Sequence, residues 1–167
     1  MKSKYILYYV EGEDEGKLIE VLKTHLRVIK PGKVQKINVT QQKITEARLR
    51  IIKPNTMVVL IFDTDTNNLD ILKENLKTLK SCATVSEIVT IPQFHNLEEE
   101  LIRSCNIKNI TELLNSKSKT EFKSDFIHVS NLDKKLKEHD FNIDLLWSKK
   151  PECPYNEILN QSKKIKL

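Results

Sequence analysis

"TMVVLIFDTDTNN" (residues 56–68) joins an almost uninterrupted apolar run to two aspartates and a polar turn. The run, Thr56 to Phe62, is too short for a typical helix and rich in strand-forming residues. It shows no alternation of apolar and polar positions, so both of its faces must be covered. That is the signature of an inner strand in a parallel sheet flanked by helices. Asp63 and Asp65 then fall at the carboxyl end of the strand, where open parallel sheets form their ligand crevice.

The segments on either side agree with this reading. Upstream, Lys4–Val10 "KYILYYV" reads as a strand and Asp14–Val28 as a helix, with Leu18, Val21, Leu22 and Leu26 near helical spacing. "KPGK" (residues 30–33) is turn chemistry, Val34–Val39 a short strand, and Thr40–Ile52 a helix that stops ahead of Pro54. Downstream, Asn67–Cys82 is an amphipathic helix carrying Leu69, Leu72, Leu76 and Leu79, with Asn67 or Asn68 as its cap. Thr84–Ile91 is a further strand, ended by Pro92. Strands alternating with helices imply crossover units, hence an α/β fold with a parallel sheet between helices. Beyond Pro92 the pattern becomes helical, with pieces at Leu97–Cys105, Ile110–Leu114 and Asn131–His139. Polar "LNSKSKTEFKSD" (residues 114–125) reads as a mobile loop. The expected organisation is an α/β core over residues 1–95 and a helical extension over residues 96–167, packed on that core.

Composition narrows the function classes. The chain has 167 residues, of which 39% are hydrophobic and 31% charged, proportions of a globular rather than disordered protein. No apolar stretch approaches the roughly 20 residues of a membrane span. The basic start and short apolar run of "MKSKYILYYVEGEDEG" break into acids without a cleavage pattern, so a first strand is expected there and a cytoplasmic location for the chain. The three cysteines are widely spaced and form no CxxC pair, which argues against a zinc site or a disulfide framework and for small buried side chains. No GxGxxG or Walker A pattern is present. A formal charge of +5 suits a polyanionic partner such as nucleic acid, and equally suits a merely lysine-rich composition.

The acids carry the chemistry. In "YYVEGEDEG" (residues 8–16), Glu11 directly follows the first strand, as Asp63 follows the inner one. Adjacent strands would bring Glu11, Asp63 and Asp65 to one edge, with Glu15 a helical turn beyond Glu11. As plain structure, an acidic first helical turn is ordinary dipole chemistry and a strand-end aspartate is often only a cap. Both groups at the carboxyl ends of parallel strands point further, to a divalent cation that relieves their repulsion. Hard carboxylate oxygens suit Mg²⁺ or Mn²⁺, with water and substrate phosphate completing the shell.

"VEGEDEGKLIEVL" followed by "VVLIFDTDTNN" resembles a Toprim domain, the metal-binding fold of topoisomerases, bacterial primases and nucleases of the overcoming-lysogenization-defect (OLD) type. The matching elements are Glu11-Gly12 after the first strand, Asp63-Thr64-Asp65 after a later one, and Glu15 as the second acid of the OLD-type and related defence nucleases. The resemblance covers roughly residues 4–100. It implies that Glu11 and Glu15 act as metal ligands or general base, that Asp63 and Asp65 hold Mg²⁺ or Mn²⁺, and that a further acid follows the fourth strand. Glu98, Glu99 and Glu100 are available there, with Glu99 favoured. It further implies a nuclease cleaving DNA or RNA, working in bacterial or phage defence, sometimes with a separate ATPase partner. A primase-like nucleotidyl transferase, or a non-catalytic subunit binding nucleic acid or protein, shares the same residues.

Several other positions are candidates to complete the site. Lys123 in "TEFKSDF" would supply positive charge to a phosphoryl transition state, or would be a solvated lysine. His95 would contact substrate, or be an ordinary polar residue. "DLLWSKKPECPY" (residues 144–155) sets Trp147 and Tyr155 beside Lys149 and Lys150, a combination suited to single-stranded nucleic acid. A lone tryptophan in a small protein is, however, commonly core.

Overall fold

In a computed structural model describing residues 3–167, the inner run becomes the strand that organises the molecule. Four strands form one sheet: β1 (Tyr5–Val10), β2 (Lys33–Lys36), β3 (Thr56–Asp63) and β4 (Val85–Gln93). All neighbours are parallel and the spatial order is β2-β1-β3-β4. From Thr56 to Phe62, β3 is wholly buried. Among the described residues six α-helices accompany the sheet: α1 (Glu13–Thr24), α2 (Glu46–Arg50), α3 (Asp70–Ser81), α4 (Leu97–Ser104), α5 (Lys119–His128) and α6 (Leu132–Glu138). The fold is α/β, with a parallel sheet between helical layers.

The period-two geometry of strands sorts the core into two halves. Tyr8, Val10, Val59, Ile61, Val89 and Ile91 face Leu18, Ile19 and Leu22 of α1. The alternate residues, Leu7, Tyr9, Val58, Leu60 and Phe62, face Leu72 and Leu79 of α3. Leu101, Phe122, Phe126, Leu136, Trp147 and Ile165 join the α1-side cluster. Residues 96–167 therefore extend the core of the sheet and share its hydrophobic cluster.

Four local expectations are corrected. The helix expected over Thr40–Ile52 shrinks to Glu46–Arg50. Asn38 Oδ1 accepts from Thr40 N–H and Oγ1, and buried Asn75 of α3 bonds Val39 O, Gln42 O and Ile44 N–H, so side chains take up the backbone groups a helix would have paired. The strand expected to stop at Pro92 runs through it to Gln93. β4 lies at the sheet edge, where a missing N–H is tolerated. The loop expected over residues 114–125 folds from Lys119 onward as α5, since Ser118 Oγ caps Glu121 N–H and Phe122 and Phe126 pack one turn apart with ring centroids 5.5 Å apart. Cys105 is buried as expected, but Cys153 is exposed.

Candidate functional site: an acidic crevice at the switch point

Chain direction across the sheet reverses between β1 and β3. From β1 the chain goes outward to β2, then crosses back to β3 on the other side. Crossovers diverge there, leaving a crevice beyond the carboxyl ends of the two strands. Glu11 and Asp63 border it. Glu11 is one residue past β1, and its Oε2 accepts from the backbone N–H of Asp63 at 3.1 Å. Its Oε1 accepts from Asn38 Nδ2 at 2.9 Å. The two motifs, 52 residues apart in sequence, are thus hydrogen-bonded to each other.

Asp63 is held from the other side. Gln93, fully buried at the end of β4, donates from Nε2 to Asp63 Oδ1 at 2.7 Å and accepts from Trp147 Nε1 at 3.2 Å. Thr64 pins the turn between the aspartates. Its N–H donates to His95 O, its Oγ1 donates to Gln93 O at 2.7 Å, and the same oxygen accepts from His95 N–H. Asp65 is exposed at the mouth, near Tyr155, whose hydroxyl pairs with that of Thr66 at 2.7 Å.

Helix α1 brings two more acids. Glu15 is buried and its Oε2 accepts from Gly12 N–H at 3.0 Å, closing the first turn. Asp14 is half-buried and close enough to raise both Glu11 and Glu15 electrostatically. Glu13 turns outward and pairs with Lys36 at 3.0 Å. From α4 the acid that reaches the cluster is Glu98, whose charge acts on Asp63. Glu99, the favoured candidate from sequence, is exposed on the outer side of the first turn, its N–H capped by Asn96. Glu100 is buried under Phe94 N–H, Trp147 N–H and Arg103.

Among the described residues one cation enters this group. Lys123 Nζ lies 3.4 Å from Glu98 Oε1, and the charges of Glu98, then Asp14 and Asp63, hold its pKa above the ordinary lysine value. Its helix is fixed from below by Lys17 of α1, which donates to Ile127 O and Val129 O at the carboxyl end of α5.

The electrostatics follow from burial plus repulsion. Asp63 is pushed up to about 8, by burial first and the Glu11 charge next, against the Gln93 hydrogen bond. Glu15 is pushed up to about 10 by burial, then by a hydrogen bond with the Asp14 carboxyl, which requires a proton on one of the two. Burial raises Glu11 as well, opposed by its bonds from Asp63 N–H and Asn38. Burial and mutual repulsion thus favour the neutral form of these carboxyls, whereas a positive charge among them would favour the ionised form. The donor set is all oxygen, which fits a hard divalent ion. Among the described residues, however, no three His, Cys, Asp or Glu side chains form a ready-made metal cage. The cluster thus suits an ion that takes few protein carboxylates and keeps water in its shell.

The remaining candidates are placed elsewhere. His95 lies at the rim with positive φ, stacked on Phe94 and 3.9 Å from Glu152. Trp147 is buried, and Lys149 sits over the Phe94 ring at 3.6 Å. Tyr155 is buried against Phe62, so neither aromatic presents a stacking surface. Among the described residues no helix is long and apolar enough to cross a membrane. What fold and site define together is an α/β protein with an acidic crevice at its topological switch point. No family model matches the chain, and no curated protein or solved structure is significantly similar to it.

Proposed function

We propose that this chain is a Toprim-like nuclease that uses Mg²⁺ or Mn²⁺ to cleave a phosphodiester bond in DNA or RNA. The observation that carries the reading is the hydrogen bond joining Glu11 to the backbone of Asp63 at the switch point, which gathers both motifs into one crevice. Bound there, a divalent cation would supply an activated water and charge for the departing oxygen. Glu11, Asp63 and Asp65 would hold it, with Glu15, Asp14 and Glu98 around them. Gln93 fixes the direction of Asp63, and Thr64 pins the turn that leads on to Asp65. Lys123, tethered by Glu98, offers positive charge toward the phosphate. The resemblance to defence nucleases extends the proposal to a separate ATPase partner and a cytoplasmic role against phage.

One observation favours a second reading. A subunit that binds nucleic acid or protein without catalysis needs no metal cage, and none stands preformed among the described residues. Cleavage of plasmid, single-stranded DNA and tRNA with Mg²⁺ and with Mn²⁺ separates the two. The nuclease reading expects activity abolished by EDTA and reduced to background in Glu11→Gln and Asp63→Asn. Equal activity in wild type and Glu11→Gln sinks the metal-site mechanism. Binding of these polymers that is indifferent to EDTA, without cleavage, establishes the second reading.

A further inference from the structure

At the opposite edge of the sheet, under the amino-terminal ends of β1 and β3, lies a cavity of about 690 Å³. The eight residues of β3 separate it from the acids by roughly 23 Å, at about 3.3 Å per residue. We propose that this cavity binds a small organic anion with an aliphatic body, independently of the acidic crevice.

Three observations support this. The first is the lining. Tyr5, Ile6, Ile51, Ile52 and Leu167 contribute to it. Tyr5, Ile51 and Leu167 are three of the five large hydrophobic side chains left exposed among the described residues, at 36%, 59% and 73%. Exposed apolar groups gathered in one concavity, rather than scattered, mark a binding surface. The second is charge. Lys4, Lys30, Lys33 and Lys53 line the same cavity, with no acidic side chain among its lining residues. None of these four lysines takes part in an ion pair among the described residues. Lys30 Nζ donates to Lys164 O at 2.6 Å, while Lys4, Lys33 and Lys53 have no ionic partner among the described residues, and an anion seated over the apolar floor would supply one.

The third observation decides the body of the ligand. Lys4 and Lys53 place their ammonium groups 5.3 and 4.9 Å from the centre of the Tyr5 ring. The one aromatic ring of the cavity is engaged by the protein's own cations, so a nucleobase finds no free partner for stacking. An aliphatic chain against Ile6, Ile51 and Ile52, with its carboxylate or phosphate toward the lysines, satisfies both halves of the wall.

Calorimetric titration of the full chain with decanoate, decanol and adenosine monophosphate tests the proposal. Decanoate is expected to bind one molecule per chain and to weaken with added salt. Decanol and adenosine monophosphate are expected to bind at least about tenfold more weakly. Reversing Lys33→Glu together with Lys53→Glu should weaken decanoate by about tenfold or more, with circular dichroism verifying the fold. The exposed Ile51→Asn is a second variant that should weaken it without touching charge. Asp63→Asn should leave it unchanged, which separates this site from the crevice. Equal affinity for decanol and decanoate, binding of the nucleotide in preference to decanoate, or indifference to both lysine and isoleucine variants would overturn the proposal. So would association with anionic vesicles without any binding of free decanoate.

Discussion

Asp63 shows how one side chain is caught between stability and use. Burial and the charge of Glu11 push its carboxyl up to about 8 in the folded chain, from an ordinary 3.8. The folded state therefore holds that proton more tightly than the unfolded state does. The contribution to stability is complete below about pH 4 and is lost as pH rises through 8. Without divalent cation, thermal unfolding should thus show a melting temperature that falls between pH 5 and pH 9. Asp63→Asn, which removes the charge and keeps the oxygen for Gln93, should flatten that slope and stabilise the chain by about 1–2 kcal/mol at pH 8. Mg²⁺ at saturating concentration should restore the wild type at high pH and release protons on binding, read by calorimetry in buffers of different ionisation enthalpy. The residues that make Asp63 so were only partly legible in the sequence. Glu11, Asp63 and Asp65 could be placed because a strand end fixes where a side chain emerges. Asp14 and Glu98 could not, because each shares a helical turn with neighbouring acids and only the packing angle of the helix decides which one turns inward. Gln93 and Thr64 carry no charge pattern at all, and their roles exist only in three dimensions.

At the scale of elements, long periodic segments were legible and short ones were not. β3 announced itself because a strand covered on both faces has no polar positions to confuse the pattern. The stretch before α2 misled, because the groups that compete with helical pairing belong to Asn75, more than thirty residues away. α5 was hidden by a polar sequence whose only apolar anchors are Phe122, Phe126 and Ile127. The connection into β2 illustrates the reverse, a single small residue on which an element depends. A Cβ on Gly32 would lie 2.7 Å from Ile6 O and 2.9 Å from the Tyr8 ring. The loop must approach β1 this closely for β2 to pair with it. Gly32→Ala should therefore cost roughly 1–3 kcal/mol in denaturant unfolding, since the obstacle is strand backbone. An unchanged midpoint would show that the loop can step aside.

For the whole molecule, the last residues matter more than their lack of regular structure implies. Both strand edges of the sheet need protection. β2 is short and carries Lys33 and Lys36. β4 is nine residues long and is covered by the C-terminal segment. Gln161 N–H donates to Thr90 O, Gln161 Oε1 accepts from Thr90 N–H, and Thr90 Oγ1 donates to Leu159 O. The segment then bridges Lys166 to Ile29 beside the far end of α1, and Lys164 pairs with Glu87 on the way. Removing residues 159–167 should leave secondary structure largely intact by circular dichroism while the protein shifts from a sharp peak to large assemblies in size-exclusion chromatography. A truncated chain that stays at its original elution volume would show the edge to be harmless. The same seal sets an order of events during synthesis. β4 leaves the ribosome well before the residues that cover it, so each nascent chain passes through an interval with an open template for strand addition. Neighbouring chains on one message are then the natural partners for mispairing, and faster translation of the residues between β4 and Gln161 would shorten the exposure.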